Sequence, residues 1–288
     1  MHSVRRLAQL DFNVPGVKPV GMELMKILNG PEPDIEAMAR VVELDPALFG
    51  SILACANSPL YGGVKEIVDL RMALIRLGMK EIRRIVFHVV LDSAFRSDHQ
   101  DINKFLRSIW RQNLAVSLTM QQLLQHCPQV RALPVDMVAM IYPLGLMHLI
   151  GIPVLIVNFF DRFTLFVRDD LKQPLPEIYL REKEIFDGFD HFILGRVLVD
   201  RWGFPEFFPA VLESYHLPEP TLEEHVRILH SLLRMSRHLT EAMGCAALSN
   251  APEGFWLQGN CLDLTEVDTV ELTRVVLEQM DTVSSMFA

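Results

Sequence analysis

The side chains best able to ligate a metal or act as nucleophiles in this chain are ten His and four Cys. Cys55, Cys127, Cys245 and Cys261 lie far apart and form no C-x-x-C pair. Their spacing supports neither a disulfide framework nor a thiolate zinc site, and reduced thiols in a cytoplasmic chain are the simpler reading. His225, His230 and His238 fall on or near one predicted helix, but the i, i+4 His pair of a helical zinc site is absent. His99 follows Asp98 in a polar stretch and reads as solvated. Arg83 and Arg84, with Arg76 and Lys80 nearby, either hold a phosphate or form a solvated face, and the second is the simpler reading. The G-x-x-x-x-G-K-[ST] loop, the G-x-G-x-x-G turn and the G-x-S-x-G elbow are all missing. The 14 Met residues read as adaptable core, with a partner groove as the alternative.

The elements that position these groups are helical. Ile35, Met38, Ala39 and Val42 sit at i, i+3, i+4 and i+7, with Asp34 as N-cap. Asp45-Pro46 starts a second helix as N-cap and N1. Leu70 to Leu77 forms a short helix stopped by Gly78, and Lys80 to Ala94 forms another. Further helices are predicted over about 103–126, 135–149, 154–166, 191–202, 205–215, 222–243 and 266–285. No sustained strand alternation and no fixed-period repeat is visible. The fold expected is all-α, a multi-helical bundle. At 288 residues, 50% hydrophobic and 22% charged, the chain is an ordinary globular one with ample core. Its net charge of −9 argues against general nucleic-acid binding. Residues 137–160 lack Asp, Glu, Lys and Arg and are long enough to span a bilayer. Pro143, Gly145, His148, Gly151, Pro153 and Asn158 interrupt them, so the segment reads as two buried helices broken at Gly151-Ile152-Pro153, with no membrane span. No apolar run of signal-peptide length follows Arg5-Arg6.

Three stretches resemble the HDOD family, the HD-related output domain of bacterial signalling proteins. Glu43-Leu44-Asp45-Pro46-Ala47-Leu48 with Ala56-Asn57-Ser58-Pro59-Leu60-Tyr61-Gly62 is similar to its "DPAL…ANS.YYG" signature. Ala73-Leu74-Ile75-Arg76-Leu77-Gly78, running into Ile82-Arg83-Arg84-Ile85-Val86, is similar to its "AI..LG...L..LV" segment. The third is dispersed: Trp110-Arg111-Gln112-Asn113, Gly145-Leu146-Met147-His148-Leu149, Phe189-Asp190-His191, Trp202-Gly203-Phe204-Pro205 and Tyr215-His216. The resemblance covers about 15–217. It implies an N-terminal helical lobe over 15–95 and an HD-like lobe over 100–217, while the tail, 218–288, lies beyond it and its two predicted helices read as a C-terminal extension packing on the domain or forming an interface. It also implies a regulatory output role in bacterial signal transduction, exerted through protein partners.

The HD hydrolases to which that family is related hold one or two metals with His residues and a His-Asp pair, creating a nucleophilic water near neutral pH. Set on their pattern, this chain is degenerate. Gln112 replaces the first His, and the His-Asp pair is His148-Leu149. Asp190-His191 is present, with Asp190 read as a helix cap, and a later His-His pair is Tyr215-His216. Leu149 can neither bridge two ions nor accept a proton, so a binuclear site is excluded. His148, His191 and His216 are the remaining candidates for a single zinc. The resemblance therefore implies a vestigial site of Gln112, His148, Leu149, His191, Tyr215 and His216, with no catalytic residue, metal or cofactor. A weak metal-dependent phosphohydrolase or nucleotide sensor built on the three His is the alternative.

Overall fold

A computed structural model describes residues 19–29, 33–58, 61, 66–94, 99–171, 173–248, 251–265 and 267–286. Every regular element among them is an α-helix. Four helices form the first group: α1 (Pro19–Asn29), α2 (Ile35–Val42), α3 (Pro46–Ala56) and α4 (Leu70–Ala94). The carboxylate of Asp34 caps α2 by accepting from Glu36 N–H at 2.9 Å. Asp45 caps α3 by accepting from Leu48 N–H at 3.2 Å. Each cap satisfies a donor that the first helical turn leaves unpaired. Asn57 closes the loop after α3: its amide donates to Ile67 O at 2.7 Å and accepts from Ile67 N–H at 2.8 Å. Gly78, at φ 71° and ψ 163°, breaks α4 into two helical halves, a conformation that a side chain would strain. Leu48, Ile52 and Ala56 are buried in the core, whereas the side chain of Ala47 lies outside the described residues.

Helix α1 was not legible in the sequence. It buries Leu24, Met25 and Leu28 against α2 and α4. Gly21 lets it lie close on α4, since a Cβ there would come within 2.7 Å of the Val90 side chain.

The second group is built on α5 (Gln100–His126), which is buried without interruption from Gln112 to Met120. The short α6 (Pro128–Arg131) follows it. The apolar stretch then forms three helices: α7 (Val135–Ala139), α8 (Ile141–Met147) and α9 (Gly151–Asn158). This corrects the expected pair of helices broken at Gly151-Ile152-Pro153. The break is the turn at 148–150, and Gly151 begins the next helix. Pro153 is tolerated because it lies in the first turn of α9, where its missing N–H has no intrahelical partner to lose. Residues 141–158 are 89% buried inside the protein.

Two glycines set the close packing here. At Gly145 a Cβ would lie 2.6 Å from Ser117 Cα, which locks α8 against α5, and Ser117 Oγ donates to Tyr142 O at 2.8 Å. At Gly151 a Cβ would lie 1.8 Å from the backbone oxygen of His191. That approach carries the 148–150 turn onto the start of α12. The remaining helices are α10 (Phe160–Asp169), α11 (Leu175–Ile185), α12 (His191–Arg201), α13 (Phe207–Ser214), α14 (Glu224–Ala242) and α15 (Thr269–Met286). Helices α14 and α15 both pack on α5. Trp256, in the loop between them, is buried and stacks at 17° to the Tyr215 ring.

Candidate functional site

His148 follows α8 directly, and His191 opens α12. The Nδ1 of His148 lies 2.6 Å from Gly145 O. A carbonyl can only accept, so Nδ1 carries the proton and the Nε2 lone pair faces inward. That lone pair receives a hydrogen bond from a terminal nitrogen of Arg237 on α14, at 3.3 Å. Burial, reinforced by the Arg237 charge, pushes the His148 pKa well below 6.5 and keeps the ring neutral.

His191 is held by a carboxylate. Its backbone N–H and its Nδ1 both donate to Glu182 of α11, at 3.0 and 2.7 Å. Glu182 is 2% exposed. With Nδ1–H spent on this acid, Nε2 faces the Tyr215 hydroxyl at 3.4 Å. Burial raises the Tyr215 pKa well above 10, so the hydroxyl keeps its proton and can donate. Asp190 is the N-cap of α12: one oxygen accepts from Ile193 N–H at 2.7 Å and the other pairs with Lys183 at 3.2 Å.

The candidates are therefore brought together in part. Tyr215 links the pair, touching His191 and lying edge-on to His148 with ring centroids 5.8 Å apart. His216 is stacked on Phe192 at 4.1 Å and sits at the edge of Tyr179, and no hydrogen bond or ring contact joins it to His148. Burial lowers its pKa to about 4. Gln112 faces the C-terminal extension. Its Oε1 accepts from Ala247 and Leu248 N–H at 2.8 and 3.2 Å. Leu149 is buried in the apolar core.

The sequence reading missed the groups that complete this cluster: Glu182, Arg234 and Arg237. Arg237 also donates to Leu248 O at 3.2 Å and lies 4.8 Å over the Trp256 ring. Arg234 donates to Tyr215 O at 2.8 Å and to Leu217 O and Phe255 O. Both side chains are almost wholly buried. A signal for them was present. Arg237 falls four residues after Leu233 on the apolar stripe of α14, and Glu182 falls four after Ile178 on that of α11. A charged residue on a buried stripe needs a buried partner.

These residues do not fit a metal centre. An imidazole whose other nitrogen is tied to a carboxylate or carbonyl is oriented as a metal ligand would be. Here both lone pairs meet protein donors instead, an N–H of Arg237 and the O–H of Tyr215. A guanidinium beside the lone pair repels a second cation. Glu182 is committed to His191, and among the described residues no three His, Cys, Asp or Glu side chains are grouped to hold an ion.

The HDOD domain family matches residues 14–218, and the chain belongs to that family. Solved structures share its fold. An HDOD domain protein of unknown function from Geobacter sulfurreducens superposes with a TM-score of 0.71 at 19% identity, covering 99% of this chain and 96% of that one. A protein from Marinobacter aquaeolei VT8 named as a candidate signal transduction protein gives 0.71 at 19%, covering 95% of this chain and 59% of its own. A candidate phosphohydrolase from Shewanella amazonensis SB2B gives 0.68 at 20%, covering 99% and 97%. No curated protein matches the chain.

Proposed function

We propose that this protein is a non-catalytic output module of bacterial signal transduction, working in the cytoplasm through protein–protein contacts. In this reading residues 15–217 form the signalling domain, with lobes over 15–95 and 100–217. The relic of its hydrolase site serves as the junction that ties down the extension, 218–288. The observation that carries the reading is the Arg237–His148 hydrogen bond at 3.3 Å, which sets a fixed cation against the best-oriented nitrogen ligand. The substitution of Leu149 for the carboxylate points the same way, because Glu182 is committed to His191 and Glu241 lies beside Arg237 at 3.9 Å. The contact role is supported by Met72 and Ile75, 55% and 61% exposed near the start of α4, and by Val68, 78% exposed two residues before that helix. Large apolar side chains exposed close together are a mark of a partner surface. The test is hydrolysis of aryl phosphate mono- and diesters by the full chain with added manganese or zinc. Rates at background are expected. Metal-dependent turnover that His148→Ala abolishes would overturn the proposal in favour of the hydrolase alternative.

A further inference from the structure

A second cavity lies away from the histidines, where α4 meets α5, α8 and α15. It has a volume of about 640 Å³, within the range of small-molecule sites. The second half of α4 restarts after Gly78, so its first turn, Met79 to Glu81, forms one wall. A helix start favours a negative group.

The charges on the wall are lopsided in an otherwise acidic chain. Lys80, Arg83 and Arg84 face a single carboxylate, Glu81. Arg84 pairs with Glu81 at 3.1 Å and donates to the Tyr61 hydroxyl at 3.2 Å. Arg83 is spent on two backbone oxygens, Ala139 O at 2.9 Å and Leu28 O at 2.7 Å, so no anion offsets its charge. Lys80 is exposed and pairs with no described residue. Tyr142 also lines this wall, but its hydroxyl is enclosed in the protein and not open to the cavity. The lining from α5 and α15 carries the amides of Gln121, Gln122, Gln125 and Gln279, with Gln122 donating to Gln279 Oε1 at 3.4 Å, and Leu124 and Ile141 add apolar surface. Amides present a donor and an acceptor side by side, the pattern that reads the edge of a planar polar ring.

We propose that this cleft binds a small organic phosphate of the nucleoside monophosphate type, its phosphate at Lys80 and the start of the α4 second half and its ring against the glutamines. The site uses none of the histidine cluster, so its occupancy and the non-catalytic reading can fail separately.

Calorimetric titration of the full chain tests this with four probes: the purine and pyrimidine nucleoside monophosphates, the matching nucleosides, ribose 5-phosphate and inorganic phosphate. At least one monophosphate is expected to bind below about 1 mM, with the nucleoside and inorganic phosphate each at least tenfold weaker. Lys80→Glu, an exposed change that spares the fold, is expected to weaken binding at least tenfold, and Gln125→Ala, also exposed and on the cavity lining, serves as a second variant. No binding of any monophosphate, affinity indifferent to both variants, or inorganic phosphate binding as tightly as the nucleotide would overturn the proposal. Chromatography of the recovered nucleotide reads hydrolysis independently, and that readout bears on the non-catalytic reading alone.

Discussion

Arg237 and His148 are 89 residues apart in sequence, and their hydrogen bond joins the segment beyond the HDOD match to the turn after α8. The guanidinium reaches the imidazole because three further bonds fix the segment around it. Gln112 accepts from Ala247 and Leu248 N–H, and Leu248 O accepts from Arg237. Gln112 thus holds backbone, and the cation facing His148 belongs to the protein.

The first prediction concerns this contact. Arg237→Leu leaves His148 Nε2 and Leu248 O buried without donors and removes the cation from the Trp256 ring. The expected loss is about 2–3 kcal/mol, read from the urea midpoint. A midpoint unchanged from wild type would mean that the contact carries no stability.

Restoring ligands alone should fail. Leu149→Asp with Gln112→His supplies the missing groups, but Arg237 still faces His148 and a new acid enters an apolar core. Zinc affinity, measured by competition with a chromophoric chelator, is expected to rise only when Arg237→Leu is added. A gain of similar size without it would show that Arg237 does not block the site.

Gly151→Ala tests the approach that places His191. The added Cβ would lie 1.8 Å from His191 O, which is backbone and cannot move without shifting α12. A loss of about 3 kcal/mol or more is expected. Gly195→Ala is the control, since its Cβ would meet its nearest neighbour at an ordinary 3.5 Å. Equal thermal midpoints for the two variants would contradict the packing described.

Acid should weaken the fold. Burial lowers His148 well below 6.5, His216 and His230 to about 4, and His88 to about 3. Below the ordinary value of 6.5 the unfolded chain binds protons that these folded residues refuse, so stability falls as pH drops from about 6.5 toward 4. Glu241 and Asp200, both raised by burial, oppose this with two groups. Urea midpoints at pH 7 and pH 5 are expected to decrease in that order, and His216→Gln should make the decline shallower. A flat profile would mean that the rings are not buried neutral.

How far the sequence reached follows from where each structural signal lies. Asp34, Asp45-Pro46 and Gly78 act through their own backbone, and each was legible because caps and left-handed breaks are local. His148, His191 and Tyr215 were found through a motif resemblance. The Arg237–His148 contact was not, because it pairs groups 89 residues apart and nothing in either neighbourhood names the other. The break placed at Gly151-Ile152-Pro153 missed by one turn for a different reason. Gly151 is needed for its approach to His191 O, not for a turn, and that approach is tertiary.

The central claim is that protein donors fill the positions a metal would need. It is tested most directly by counting metal. The untagged full chain, purified without chelator and dialysed, is analysed by elemental mass spectrometry for zinc, manganese, iron and nickel per chain. The account predicts a total well below one. One ion or more per chain, lost in His148→Ala and in His191→Ala, would contradict it.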